Sequence, residues 1–110
     1  MQKQGLFFDM YFVYILHSPS ANMYYVGHTN DPSRRTDQHL KNHSKTFTGK
    51  YSDWELKALF EAGHSRSVAM KVENFIKKQK SRTLIEKLVD PEFSPSGILA
   101  QLVRVPHMRD

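Results

Sequence analysis

Five side chains in this sequence combine types and spacings that could act on a phosphate: Tyr14, Tyr25, Arg35, His39 and Glu73. Tyr14 and Tyr25 stand eleven residues apart, Arg35 follows Tyr25 by ten, and His39 follows Arg35 by four. On a helix, a four-residue step leaves Arg35 and His39 about 40° apart around the axis, so they share a face. A guanidinium can hold phosphate oxygens through two parallel hydrogen bonds and stabilise charge developing at a pentacoordinate phosphorus. Beside two phenols such a face becomes a phosphate site; alone it is ordinary solvated surface. Strand tyrosines taken singly are packing residues more often than catalysts. Arg34 points to another side of the same helix and is the weaker candidate.

Glu73 has two readings. It is placed for an i,i+4 ion pair with Lys77, worth about 0.3–0.5 kcal/mol on an exposed helix. Alternatively it binds Mg²⁺, which favours carboxylate and phosphate oxygens, keeps several waters, and needs only one such carboxylate from the protein. From Arg66 to Arg82 run six cations (Arg66, Lys71, Lys77, Lys78, Lys80 and Arg82), with Glu73 the one acid among them. The residues alone leave the two readings level.

The elements that must position these groups follow from pattern. Tyr11 to His17 is a dense β-branched and aromatic run, Ser18 to Asn22 is turn-forming, and Met23 to His28 repeats the strand signature, which predicts a hairpin. Tyr24 and Tyr25 must face opposite ways, one toward a core and one toward a site. Gly27 removes a side chain where a ligand backbone could approach, or marks a bulge or twist. Asn30-Asp31-Pro32 supplies a helix cap with proline at the first helical position. The helix expected from there to about His43 has Leu40 as its one strongly apolar residue, so something polar should lie against it. Ser44 to Asp53 reads as a loop carrying Lys45 and Lys50.

Trp54 to Ala62 reads as a third strand, Trp54, Leu56, Ala58 and Phe60 alternating with a mostly charged face. Ser65 or Ser67 can cap a helix with Val68, Ala69, Val72, Phe75 and Ile76 as its apolar stripe and a basic outer side. Ser81 can cap another, with Leu84, Ile85, Leu88 and Val89 buried and an end at Asp90-Pro91. Residues 1–9 read as an N-terminal extension, 10–90 as one domain, and 91–110 as a tail of linker plus short segment.

A chain of 110 residues has room for one core of two packed layers, so any site is expected on the rim of that core. The formal charge of +5 and a pI near 9.6 favour an acidic partner such as nucleic acid. Zero Cys excludes disulfide staples and cysteine zinc sites, in keeping with a reducing cytoplasm. The run LFFDMYFVYIL is broken by Asp9 and falls short of the roughly 18–20 residues of a membrane span. It also lacks a signal-peptide pattern. A cytoplasmic protein without a membrane anchor is expected.

Taken together, these residues resemble the GIY-YIG nuclease superfamily, in particular its small stand-alone members, over about Met10 to Val89. Val13-Tyr14-Ile15-Leu16 is a degenerate first half-motif that keeps the tyrosine and lacks the leading glycine, and Tyr25-Val26-Gly27 is close to the second. The spacings of Arg35 and His39 match, and Ala69 to Lys80 is similar to the segment carrying the family's metal-binding glutamate, here Glu73. There is one departure, at position 85, and one variable position, at 28. Ile85 stands where homing and excision-repair members carry an asparagine, and His28 where the repair nuclease has a lysine.

The resemblance implies an α+β fold, a central three-stranded antiparallel sheet flanked by helices in the order β-β-α-β-α-α. It implies a catalytic set of Tyr14, Tyr25, Arg35, His39 and Glu73, with Glu73 holding Mg²⁺ or Mn²⁺, Gly27 structural, and a phenol or His39 activating water. A phenol is a weak base at neutral pH, so nearby cations would have to favour its phenolate. His28, Lys41, Lys45, Lys50, Arg66, Lys77, Lys78, Lys80 and Arg82 would bind nucleic acid, largely through backbone phosphates, which position without specifying sequence. The expected activity is hydrolysis of DNA, selective for branched, damaged or single-stranded structure rather than sequence. A nucleic-acid-binding protein of the same fold with little cleavage is the alternative, and a basic adaptor binding another protein through its tail is a third reading.

Overall fold

The computed structural model describes residues 10–33 and 53–105. Among them the elements are β1 (Phe12–Ser18), β2 (Met23–Thr29), β3 (Glu55–Glu61), α1 (Arg66–Gln79), α2 (Arg82–Val89), a 3₁₀ turn (Gly97–Gln101) and β4 (Val103–Arg104). Pro32 and Ser33 are helical, and the remainder of the helix expected to His43 lies outside the described residues. The strands form one antiparallel sheet in the order β2-β1-β3-β4.

The expected three strands become four because the chain after α2 turns back onto the sheet. Leu99 and Leu102 are buried in the same cluster as Val13, Phe60 and Val72, and Val103 and Arg104 pair with Glu61 and Phe60. Two leucines three residues apart on a 3₁₀ turn fall on one side, which is enough to anchor so short a segment.

Each helix begins at a serine whose hydroxyl accepts an otherwise unpaired amide: Ser65 from Val68 N at 3.3 Å, Ser81 from Leu84 N at 3.0 Å. Between them, Lys80 takes the left-handed conformation (φ 49°) that ends α1 and reverses the chain. Ala69, Val72 and Ile76 form the buried stripe of α1, and Leu88 is fully buried on α2. Burial of a side chain such as Leu88 or Phe60 contributes on the order of 1.5–3 kcal/mol.

The third strand differs from its sequence pattern. Simple alternation places Trp54, Leu56, Ala58 and Phe60 on one face, but the pairing with β1 slips between Ile15 and Leu16, which face Ala58 and Leu56. Lys57 is the extra residue of a β-bulge, and a bulge reverses which face the following side chains take. Ala58 and Phe60 therefore pack with the helices, while Trp54, Leu56 and Leu59 lie with Tyr14 and Leu16. Both faces of the sheet are apolar, and neither face of β3 is the charged one expected.

The hairpin loop is tied to the entry of β3. Asp53 accepts from Ser18 Oγ at 2.6 Å and from the amide of Ser20 at 2.8 Å. These two hydrogen bonds, that of Ser18 foremost, hold the Asp53 carboxyl below the usual aspartate range. Asn22 closes the loop with φ 54°, a conformation asparagine tolerates, and its amide bonds Ser18 O at 2.7 Å.

Candidate active site

The pleat of β2 distributes the candidate groups to two faces. Tyr24 and Val26 turn toward the helices, and so does His28; Tyr25 turns away, as does Gly27. Tyr14, on central strand β1, shares the face of Tyr25: it pairs with Gly27, while Leu16 pairs with Tyr25. The two phenol rings lie 6.3 Å apart at 33°, and Trp54 meets the Tyr25 ring edge-on at 6.4 Å. Tyr14 is 2% exposed, so its ring is fixed by packing on every side.

Gly27 serves Tyr14. A Cβ at position 27 would lie 2.6 Å from Tyr14 Cζ, closer than non-bonded carbons approach. The room left by the missing side chain is filled by the phenol of the neighbouring strand, so an aromatic ring covers a glycine on an edge strand. The space is therefore not open to an approaching ligand backbone.

On the helix face, Glu73 follows the buried Val72 and turns about 100° around α1 toward β2. Its side chain is 13% exposed, with Oε1 2.5 Å from His28 Nδ1 and Oε2 2.5 Å from Lys77 Nζ. The ion pair with Lys77 thus forms, but it is half of the carboxylate's environment. Arg66 Nη1 reaches His28 Nε2 at 3.4 Å. A carboxylate only accepts and a guanidinium only donates, so in this chain of contacts the imidazole donates from Nδ1 and accepts at Nε2. Arg66 is itself held with its guanidinium 5.1 Å above the Tyr11 ring.

Lys77 joins the two faces. Its Nζ pairs with Glu73 and also sits 5.6 Å from the centre of the Tyr25 ring. Among the described residues β2 is the outermost strand on its side of the sheet, so a lysine on the adjoining helix can reach around it. Glu73, His28, Lys77, Tyr25 and Tyr14 are in this way linked by successive contacts at one edge.

Arg35, His39, Lys41, Lys45 and Lys50 lie outside the described residues. Lys78 is exposed one residue beyond Lys77, on another side of α1. Lys80 and Arg82 stand at the turn between the helices, away from Glu73. Ile85 is packed against the core on α2, where it offers no polar atom. Sequence reasoning missed Lys77 as the bridge between carboxylate and phenol, and Trp54 as the support of Tyr25. The four-residue spacing signals only the pairing of Lys77 with Glu73; the contacts of Lys77 and Trp54 with the Tyr25 ring arise from strand order and pairing.

A model of the GIY-YIG catalytic domain matches residues 10–87, more than half of the chain. The chain belongs to the GIY-YIG family. Comparison with curated proteins gives no match. GIY-YIG domains are nuclease domains, and the matched span runs from the start of β1 into α2. The 3₁₀ turn and β4 follow the matched span.

Among the described residues no three His, Cys, Asp or Glu side chains gather as a metal cage. The donor set instead fits a hydrated Mg²⁺ or Mn²⁺, which takes one carboxylate and completes its shell with water and substrate oxygens. Glu73 would provide that carboxylate; its second oxygen pairs with Lys77 Nζ, on a side chain that is 46% exposed.

Proposed function

We propose that the protein is a divalent-metal-dependent endonuclease that hydrolyses DNA phosphodiester bonds, selecting structure rather than sequence. The observation that carries this reading is the partly buried Glu73 carboxylate at the β2 edge, joined through Lys77 to Tyr25 and thence to Tyr14. A Mg²⁺ or Mn²⁺ on Glu73 would polarise the scissile phosphate and stabilise the leaving 3′ oxygen. The chain's own groups do the rest. His28 fixes one carboxylate oxygen and leaves the other to a cation, and Arg66 orients His28. Tyr25 or Tyr14, with His39 as proton acceptor, activates the attacking water, whose oxygen bonds phosphorus as the bond to the 3′ oxygen breaks. Arg35 neutralises the charge that develops on the phosphoryl oxygens. Lys41, Lys45, Lys50 and Lys78 contact neighbouring phosphates.

Ile85 favours a second reading, DNA binding with little cleavage, since its side chain cannot replace the amide carried by other members of the family. Supercoiled plasmid and branched DNA, incubated with Mg²⁺ or EDTA, separate the two. Glu73→Gln and Arg35→Ala are each expected to lower Mg²⁺-dependent nicking on the order of 10²-fold or more while keeping the parent circular-dichroism spectrum. Variants that fold and cut like the parent would refute the nuclease reading. Salt-sensitive binding by a parent that never cuts establishes the second.

A further inference from the structure

Both oxygens of Glu73 are engaged within the chain, and the two contacts differ in kind. His28 stands on a strand and is held from its other ring nitrogen by Arg66 at 3.4 Å. Lys77 carries its ammonium on a flexible four-carbon stem that is about half exposed. A lysine–carboxylate pair four residues apart on a helix is weak where solvent reaches it. The Lys77 contact is therefore the one of the two that opens without any movement of backbone. While it is closed, the charges of Glu73 and Lys77 cancel, and a divalent cation at that carboxylate would face an ammonium held on the neighbouring oxygen. On its other side Lys77 lines a groove of about 550 Å³ between β2 and the turn joining α1 to α2, together with Lys80 and Arg82. The described lining residues include no acid, so a rival anion for Lys77 must come from outside the groove. Arg82 is taken up by Asn22 and Glu86, which leaves Lys77 as the cation that faces both the groove and Glu73.

We propose that Lys77 makes metal binding at Glu73 and phosphate binding at the β2 edge mutually supporting. In the free protein its ammonium neutralises the carboxylate and weakens the hold of Glu73 on a divalent cation. A DNA phosphate that takes the ammonium restores that hold, and by linkage the bound cation strengthens the grip on DNA by the same factor. The proposal rests on the nuclease reading and assigns the regulation of its site. Lys77 is a positioning residue in this scheme, since it acts through Glu73. Its consequence is a protein poorly loaded with metal until DNA is present.

The test titrates Mn²⁺ and reads the free ion by electron paramagnetic resonance, with and without a short DNA duplex whose own Mn²⁺ binding is measured alone and subtracted. A single cut leaves the other phosphates of the duplex in place, so cleavage does not mask the measurement. Without DNA, Lys77→Met should bind Mn²⁺ at least about fivefold more tightly than the parent. Lys77→Gln repeats the measurement with a polar tip, so a defect in folding peculiar to methionine does not obscure it. Lys71 is exposed on the opposite side of α1, and Lys71→Met, which removes the same charge, should stay within about twofold of the parent. Added DNA should raise the parent's Mn²⁺ affinity on the order of tenfold, and that of the two Lys77 variants at least about threefold less. Glu73→Gln should lose the site in every arm. Equal Mn²⁺ affinity in the parent and both Lys77 variants, an equal gain on adding DNA, the same shift in Lys71→Met, or Mn²⁺ binding that survives Glu73→Gln overturns the proposal. Failure of the nuclease reading is distinct: coupling that depends on Lys77 in a protein that cuts nothing leaves the proposal standing, whereas cutting with no such coupling removes it and keeps the nuclease.

Discussion

Replacing Gly27 by alanine tests the central geometric relation of the site, that Tyr14 is placed by the absence of a side chain on the neighbouring strand. The added methyl would sit 2.6 Å from Tyr14 Cζ and 3.1 Å from Cε1, so ring or strand must shift by roughly 1 Å. The ring cannot swing into solvent, being 2% exposed and packed near Tyr25. Overpacking of this kind typically costs about 1–3 kcal/mol. Alanine recovers about 0.5–1 kcal/mol because glycine loses more backbone freedom on folding. The steric term wins, and a net loss of about 1–2 kcal/mol is expected, a fall in Tm of about 5–15 °C for a domain of this size. On the nuclease reading, which makes Tyr14 a catalytic group, a shift of that extent lowers nicking on the order of 10²-fold. In a Tyr14→Ala background the same substitution meets open space, so its cost should vanish, giving a coupling of at least about 1 kcal/mol in thermal or urea melts. Gly27→Ala as stable as the parent, or strictly additive with Tyr14→Ala, would refute the reasoning.

Three further outcomes follow from local contacts. Ser81→Ala removes the hydroxyl that accepts from Leu84 N and should lower stability by about 1 kcal/mol in urea melts. Asp53→Asn bears on pH. The folded carboxyl is held below its unfolded value, so its contribution is full above the unfolded pKa of about 3.9 and is lost as pH falls through the lower folded one. Over that acidic window the parent's Tm should drop more steeply than that of Asp53→Asn, and parallel curves would count against the contact with Ser18. His28→Ala leaves one oxygen of Glu73 without its donor, and is expected to weaken metal dependence of nicking by about 10–100-fold, read as a higher Mg²⁺ concentration for half-maximal rate.

The hairpin, both later helices and their serine caps were legible because local rules decide them: alternation, an apolar stripe, a hydroxyl before the first turn. The opposite facing of Tyr24 and Tyr25 followed from the pleat alone. What escaped was decided by pairing. The bulge at Lys57 is invisible in a segment whose residues alternate plausibly either way, and it sends Trp54 and Phe60 to opposite faces. The fourth strand escaped because Val103-Arg104 is too short to carry a pattern; it is held by Leu99 and Leu102 as much as by the sheet. The reason for Gly27 was likewise misread, since the atom that fills its space belongs to a residue thirteen positions earlier.

The two edges of the sheet are treated differently, and the difference bears on function. β3 is covered on its outer side by β4, whereas β2 has no further strand among the described residues. An uncovered edge invites another chain to pair with it. Here Lys77 lies over the Tyr25 ring and Arg82 over the Tyr24 ring, and Arg82 occupies the carbonyl of Asn22 at the start of the strand. Charged side chains alongside an edge discourage strand addition, so these cations guard β2 against pairing with another chain. A site on a buried strand would have needed a cleft that a core of two layers cannot enclose. On the nuclease reading, Glu73, His28 and Tyr25 around that edge would meet a long polyanion from both faces of one strand.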